Sequence, residues 1–131
     1  MIFESCMSVE RERLRIVVVG PCASGKTTLV NGLLARGFAS ARFVVQEHSG
    51  VHNLWARRGR PDVLICLDVQ AANMNRRQGR SDWTEEARAE QLARLEHARR
   101  ECSLYLPTDD LTIPQVLETV VNFLDESYQQ P

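Results

Sequence analysis

The feature that most constrains this chain is an octapeptide, Gly20-Pro21-Cys22-Ala23-Ser24-Gly25-Lys26-Thr27, which lies between two differently patterned runs. Residues 14–19 are mostly β-branched, which indicates a strand buried on both faces of a parallel sheet. Residues 26–36 place apolar side chains on one helical stripe, and Gly37 follows at the position where a helix commonly ends. The octapeptide is therefore predicted to be a loop that leaves a strand and enters a helix.

This strand, loop and helix unit predicts a site for a polyphosphate chain. Gly20 and Gly25 are expected to take left-handed conformations, so that successive N–H groups point inwards at the positive end of the helix dipole. Lys26 is expected to reach the β- and γ-phosphates of a nucleoside triphosphate, and Thr27 to coordinate Mg²⁺. The predicted nucleotide-binding residues are Gly20, Pro21, Cys22, Ala23, Ser24, Gly25, Lys26, Thr27 and Thr28.

The rest of the chain alternates between strand and helix patterns. Further strands are predicted at 43–45, 63–67 and 104–106. Pairs of residues at capping-box spacing predict where two helices begin, and these pairs are Asp82 with Glu85 and Thr112 with Gln115. The alternation predicts an α/β fold, a three-layer P-loop NTPase with a small, mainly parallel sheet covered on both faces.

A chain of 131 residues is long enough for one domain with one core. Residues 1–13 are polar and weakly patterned, so we expect a flexible N-terminal arm followed by a single P-loop domain over residues 14–127. Within that domain, the arginine-rich segment near 70–100 is expected to form a lid over the phosphates.

Charge and composition exclude several classes of protein. The formal net charge of −1 provides no overall basic field, so nucleic acid is not an expected partner. No run approaches the ~20 apolar residues of a membrane span, and no signal peptide is recognisable, so we expect a cytoplasmic protein without a membrane partner. Lys26 is the only lysine, which excludes the Asn/Thr-Lys-x-Asp motif by which GTPases read guanine.

Cysteine and histidine spacings do not predict a transition-metal site. The four cysteines include no CxxC pair, which argues against a zinc knuckle or a redox dithiol. His48 and His52 are four residues apart, but Gly50 interrupts the segment and no third ligand has a suitable spacing.

Two acidic residues follow predicted strands and are candidate metal ligands. Glu47 follows the strand at 43–45, and Asp68 follows the strand at 63–67. Both carboxylates are therefore expected at the C-terminal edge of the sheet, where ligands of open α/β folds bind. Either acid could hold Mg²⁺ through water, and the apolar run before Asp68 is the pattern that favours it.

Arginines beyond Asp68 are expected to neutralise phosphate charge during transfer, because the planar guanidinium fork binds phosphate oxygens in pairs. The predicted catalytic residues are Lys26, Glu47, Asp68, Arg76, Arg77 and Arg80. A second cluster is a candidate site for an anionic acceptor and consists of Arg57, Arg58 and Arg60.

These motifs together resemble the P-loop nucleoside and nucleotide kinases. The segment 61–69, Pro-Asp-Val-Leu-Ile-Cys-Leu-Asp-Val, with Arg77 nine residues after Asp68, is similar to the strand and lid arginines of thymidylate-kinase-like enzymes. The segment 108–112, Thr-Asp-Asp-Leu-Thr, is similar to the loop that cups adenine in adenylate, shikimate and adenylylsulfate kinases. The resemblance covers residues 14 to about 124.

The resemblance implies ATP as the nucleotide and Asp109 as one of the residues that bind it. It also implies that Glu47 occupies the acidic position beside the P-loop and that Asp68 belongs to the strand that leads into the lid, so both acids stay open as metal ligands. One feature departs from the family. Only twenty residues separate Lys26 from Glu47, where nucleotide kinases usually insert a helical region that binds the acceptor.

The sequence therefore predicts an ATP- and Mg²⁺-dependent phosphotransferase with a small anionic or hydroxyl acceptor. The alternative is a regulatory protein that binds ATP, or hydrolyses it slowly, without transferring phosphate. The sequence indicates neither the acceptor nor the oligomeric state.

Overall fold

A four-stranded sheet lies at the centre of the protein, of which the computed structural model describes residues 11–128. The strands are β1 (Ile16–Val19), β2 (Ala41–Phe43), β3 (Val63–Asp68) and β4 (Leu104–Pro107). Their order across the sheet is β2-β1-β3-β4, and every neighbouring pair is parallel. The predicted α/β class with a small parallel sheet is therefore confirmed.

Five helices connect or follow these strands. They are α1 (Lys26–Ala35), α2 (Ala71–Gln78), α3 (Glu85–Arg94), α4 (Glu96–Glu101) and α5 (Ile113–Tyr128). Two single turns of 3₁₀ helix, Gln46–His48 and Leu54–Ala56, lie between β2 and β3.

Apolar side chains cover both faces of the sheet because successive residues of a strand point to opposite sides. Ile16 and Val18 of β1 belong to a core that includes α1 and α5. Val17 and Val19 of β1 belong to a second core, in which Trp55 is fully buried with residues of the α3 and α4 region. The sheet is thus the middle of three layers.

The position of β1 determines where a ligand can bind. After β1 the chain passes to β2 on one side, and it then returns to β3 on the other side of β1. Open α/β sheets bind ligands at such a reversal, beyond the C-terminal ends of the strands. The octapeptide 20–27 leaves β1 at this point.

The predicted second strand is shifted by two residues. Pairing with β1 covers Ala41–Phe43 instead of 43–45, and the chain then enters the 3₁₀ turn Gln46–His48. The fully buried Gln46 explains the early end of the strand, since its side chain bonds to the backbone of Val51 and Trp55. These bonds fold the chain away from the edge of the sheet.

The helix predicted to open at Asp82 begins later, with Thr84 as its N-cap. Thr84 Oγ1 accepts a hydrogen bond from the Ala87 amide at 3.0 Å. Asp82 is not available as a cap because its two carboxylate oxygens bind the Arg80 guanidinium at 2.8 and 2.6 Å. The helix also divides at Leu95 into α3 and α4.

The segment 70–100, predicted as a lid, contains α2, α3 and α4, and α2 was not predicted at all. Met74 of α2 is fully buried, as are Leu95 and Ala98. Part of this segment therefore belongs to the core.

Residues 11–13, the described end of the predicted arm, are helical. Arg11 donates to the Arg36 carbonyl and to the Asp125 carboxylate, which ties this end to α1 and α5. Residues 1–10 lie outside the described part of the chain. Between residues 11 and 128, no helix has both the length and the apolar character needed to cross a bilayer.

The predicted capping box at the start of α5 is confirmed. Thr112 Oγ1 accepts from the Gln115 amide at 3.2 Å, and Gln115 Oε1 accepts from the Thr112 amide at 2.8 Å. We expect Thr112→Ala to lower the free energy of unfolding by about 1 kcal/mol, measured by urea denaturation, because it removes the cap. Thr119→Ala is the matched control, since Thr119 lies inside the same helix and its loss should cost nothing. Equal effects of the two changes would contradict the capping role.

Candidate functional site

The backbone of the octapeptide forms a compact turn at the end of β1. Gly25 is left-handed with φ 101°, and Ala23, with φ 63°, is the only non-glycine residue within 11–128 that has a positive φ. The predicted left-handed conformation is thus confirmed for Gly25 and wrong for Gly20. Gly20 is required for space, because a Cβ there would lie 2.8 Å from the Leu67 carbonyl oxygen.

Four backbone amides of this loop indicate that an anion can bind here. Within residues 11–128, no carbonyl or side chain accepts a hydrogen bond from the amides of Ala23, Gly25, Lys26 or Thr27. They surround the N-terminus of α1, whose first turn contains no acidic residue. Unpaired amides and the helix dipole both favour negative charge at this place.

Lys26, the first residue of α1, is held inside the loop. Its Nζ atom donates to the carbonyl oxygens of Gly20 at 2.8 Å and Pro21 at 3.2 Å, and to Glu47 Oε2 at 2.8 Å. Both side chains are buried, with exposed fractions of 9% for Lys26 and 3% for Glu47. The 3₁₀ turn that follows β2 is what brings Glu47 to the lysine.

Two residues of this site, Ser24 and Glu47, each have a buried oxygen atom with no partner among the described residues. Among the described residues, Ser24 Oγ and Glu47 Oε1 are buried and accept or donate no hydrogen bond. Thr27, the next residue along α1, is exposed. The Thr27 hydroxyl and the free oxygen of Glu47 are the hard donors that Mg²⁺ prefers.

Asp68, the other acidic candidate, belongs to a hydrogen-bond network that does not include Lys26. Its carboxylate accepts two hydrogen bonds from Arg88 Nη2, both at 3.0 Å, and further bonds from the Tyr105 hydroxyl and the Val69 amide. Burial and the bond to Asp68 raise the pKa of the Tyr105 phenol to about 12. Asp68, at the end of β3, therefore joins Arg88 of α3 to Tyr105 of β4, and no hydrogen bond links its side chain to Lys26.

A cavity of 760 Å³ opens between the loop, α1 and the start of α5. Its polar lining includes Ser24, Thr28, Arg77 and Thr108, and its apolar lining includes Leu111, Ile113, Val116 and Leu117. A volume of 300–1,000 Å³ with mainly apolar walls and a few polar groups is typical of sites for small organic ligands and cofactors.

Arg77 closes one side of this cavity. Its guanidinium donates to the Ala23 carbonyl at 2.8 Å, and to Thr108 Oγ1 at 3.0 Å and the Thr108 carbonyl at 2.7 Å. Thr108 is itself buried and bonds to the Ser24 and Asp68 carbonyls. Arg77 and Thr108 thus fasten the loop to the segment after β4.

The other two predicted lid arginines are not bonded to the loop. Arg76 is exposed. Arg80 stacks on Trp83 at 4.9 Å, and its hydrogen bonds with Asp82 raise the pKa of Arg80 and lower that of Asp82. In residues 11–128, neither arginine donates a hydrogen bond to the octapeptide.

Asp109 does not line the cavity but bonds to residues at the start of α2. Its Oδ1 accepts from the Gln70 amide at 2.8 Å and from Asn73 Nδ2 at 2.6 Å. Burial opposes ionisation, but these bonds and the charge of Arg77 bring the pKa of Asp109 below its usual range. Asp109 thus holds the loop after β4 against the start of α2.

The second arginine cluster cannot bind an acceptor beside Lys26, because it lies at the opposite end of the strands. Arg58 lines a 280 Å³ cavity together with Arg15 and Arg42, at the ends where β1, β2 and β3 begin. Burial and the charges of Arg58 and Arg15 lower the pKa of Arg42. A six-residue strand such as β3 separates the two edges of the sheet by ~20 Å.

Sequence patterns missed Gln91, which contacts the octapeptide from α3. Its Oε1 accepts from the Cys22 amide at 2.9 Å, and its Nε2 lies 3.2 Å from Cys22 Sγ. Gln91 is 4% exposed and shares a helical stripe with Leu95 and Ala98. The sequence signal for this contact is a polar residue, glutamine, at a position of the helix that faces the core.

Comparison with known proteins gives no family for this chain, since no family model matches the sequence and no curated protein matches it significantly.

Proposed function

We propose that this protein is a P-loop NTPase that binds ATP with Mg²⁺ and transfers phosphate to a small acceptor. The observation that carries the proposal is the buried Lys26 at the start of α1, in a loop where the amides of Ala23, Gly25, Lys26 and Thr27 have no acceptor within residues 11–128. A single ammonium and several N–H groups without acceptors match the charge and the many oxygen atoms of a triphosphate.

Different residues of the site bind the phosphate oxygens and the Mg²⁺ ion. In the free protein Lys26 neutralises Glu47. On binding, Lys26 exchanges this carboxylate for phosphate oxygens, and the amides of the loop hold the remaining oxygens. The exchange leaves Glu47 free, and with the Thr27 hydroxyl it would hold Mg²⁺, which supplies charge neutralisation for phosphate transfer.

The 760 Å³ cavity is our proposed site for the base and sugar. It begins at Ser24 and Gly25 of the loop, and it extends along α1 to the apolar residues of α5. Arg77 and Thr108 belong to its polar lining. A nucleotide in this orientation places the triphosphate at the start of α1 and the base against Leu117.

The space for an acceptor is small. Only residues 36–40 connect α1 to β2, so no additional helical region stands there. We therefore expect an acceptor of the size of a single small molecule, bound near Glu47. The same short connection favours the alternative function, a regulatory protein that binds or slowly hydrolyses ATP.

The test combines a binding assay with a transfer assay. Mg²⁺–ATP at 100 times its dissociation constant is expected to stabilise the protein by about 2.7 kcal/mol. With γ-labelled ATP and a panel of small hydroxyl and phosphate compounds, label is expected to appear in one acceptor. Label that appears only as free phosphate would support the alternative, and the absence of any stabilisation would refute both.

A further inference from the structure

Three side chains with metal-binding atoms meet on the α3 side of the octapeptide. Cys22 Sγ lies 3.5 Å from His48 Nε2, which lies 3.7 Å from Glu47 Oε2. One ligand atom from each of these three residues lies within 4.8 Å of the ligand atoms of the other two. Around tetrahedral Zn²⁺, bond lengths of ~2.0–2.3 Å place neighbouring ligand atoms roughly 3.3–3.6 Å apart. The three donors are therefore close to the spacing that one ion requires.

The chemistry of these donors selects a transition metal. A thiolate and an imidazole are soft or borderline ligands that favour Zn²⁺, whereas Mg²⁺ requires oxygen atoms. Glu47 has an oxygen to contribute, since its Oε1 is buried and has no partner among the described residues. The oxygen that lies 3.7 Å from His48 is Oε2, which accepts from Lys26, so binding of a metal through Oε1 requires the Glu47 carboxylate to rotate.

Surrounding groups hold two of these ligands in place. Gln91, itself buried, bonds to both the amide and the sulfur of Cys22. Arg94 donates to the Glu47 carbonyl at 3.2 Å and so fixes the turn that contains Glu47 and His48. Support of this kind orients the ligands of protein metal sites.

We propose that Cys22, Glu47 and His48 form a Zn²⁺ site, with water as the expected fourth ligand. The sequence does not predict it, because Cys22 is distant from the other two ligands and only the fold brings them together. The histidine pair considered from the sequence is also not the site, since His52 packs against His97 instead.

The site shares Glu47 with the proposed Mg²⁺–nucleotide site. While Zn²⁺ is bound to the Glu47 carboxylate, this carboxylate cannot bind Mg²⁺. This consequence rests on the proposed function, and we expect Zn²⁺ to inhibit turnover of ATP at fixed Mg²⁺. Binding of Zn²⁺ itself does not require a nucleotide and is tested without one.

The experiment titrates Co²⁺, as a coloured substitute for Zn²⁺, into the full chain after removal of any purification tag. We expect one equivalent to give a sulfur-to-cobalt charge-transfer band and intense visible bands of tetrahedral Co²⁺, both removed by one equivalent of Zn²⁺. His48→Ala is expected to weaken Zn²⁺ binding by ~10-fold or more. Because the His48 side chain is 54% exposed, this change leaves the core intact.

Matched controls separate this site from other thiols and imidazoles. His52→Ala, Cys102→Ser and Cys6→Ser are expected to retain both the bands and the affinity, whereas Cys22→Ser is expected to lose the charge-transfer band. Octahedral Co²⁺ without a charge-transfer band, or equal affinity of the His48→Ala and His52→Ala proteins, would overturn the proposal. Lys26→Ala is expected to keep the metal, so a failure of nucleotide binding is distinguishable from a failure of this site.

Discussion

Lys26→Met is expected to abolish detectable ATP binding and to lower the free energy of unfolding by about 3 kcal/mol. The binding loss follows because the ammonium would make two or more charge-assisted hydrogen bonds to phosphate, each worth about 1.5–3 kcal/mol. Affinity should therefore fall by about 100-fold or more, measured by titration with a fluorescent ATP analogue. The stability loss follows because Glu47 is left buried without its partner.

The double variant Lys26→Met with Glu47→Gln separates these two effects. Removing both charges of a buried pair is often neutral for stability, whereas removing one is costly. We expect the double variant to unfold at nearly the urea concentration of the unchanged protein and still to bind no ATP. Retention of ATP binding by this well-folded variant would show that the loop is not a triphosphate site.

The octapeptide could be interpreted from the sequence because its conformation is determined locally. A β-branched strand, glycines and a helix in succession fix where Lys26 lies, and the structure agrees except at Gly20. At Gly20 the absence of a side chain leaves room for Leu67, a residue 47 positions further along the chain. Such a distant contact leaves no periodic signal in the sequence.

The surroundings of the loop could not be predicted for the same reason. The 3₁₀ turn that turns Glu47 towards Lys26 depends on Gln46 bonding to the backbone of Val51 and Trp55. The burial of Asp68 depends on Arg88, twenty residues away on α3. In the sequence both acids follow predicted strands, and the longer apolar run favours Asp68 as the metal ligand, because the pattern contains no sign of the bonds that Asp68 makes to Arg88.

Glu47→Gln and Asp68→Asn are expected to fail in different ways, which assigns a role to each acid. Glu47→Gln should lower the Mg²⁺-dependent rate by about 10- to 100-fold, and it should also lower the free energy of unfolding by about 3 kcal/mol, because Lys26 is left buried without its counter-charge. Asp68→Asn should lower the free energy of unfolding by a similar amount, about 3 kcal/mol, since it leaves the Arg88 guanidinium largely buried without its counter-charge, but it should leave the dependence of the rate on Mg²⁺ unchanged.

The control for Asp68→Asn is Asp62→Asn, measured by the same urea denaturation. Asp62 is an exposed aspartate whose carboxylate lies 4.0 Å from Arg15, and an ion pair of this kind contributes about 0–1 kcal/mol. A large effect at Asp68 and a small one at Asp62 would therefore identify burial of the Arg88 pair as the cause. If Asp68→Asn kept full stability but removed the dependence of the rate on Mg²⁺, while Glu47→Gln did not, then Asp68 would be the metal ligand and Glu47 only the resting partner of Lys26.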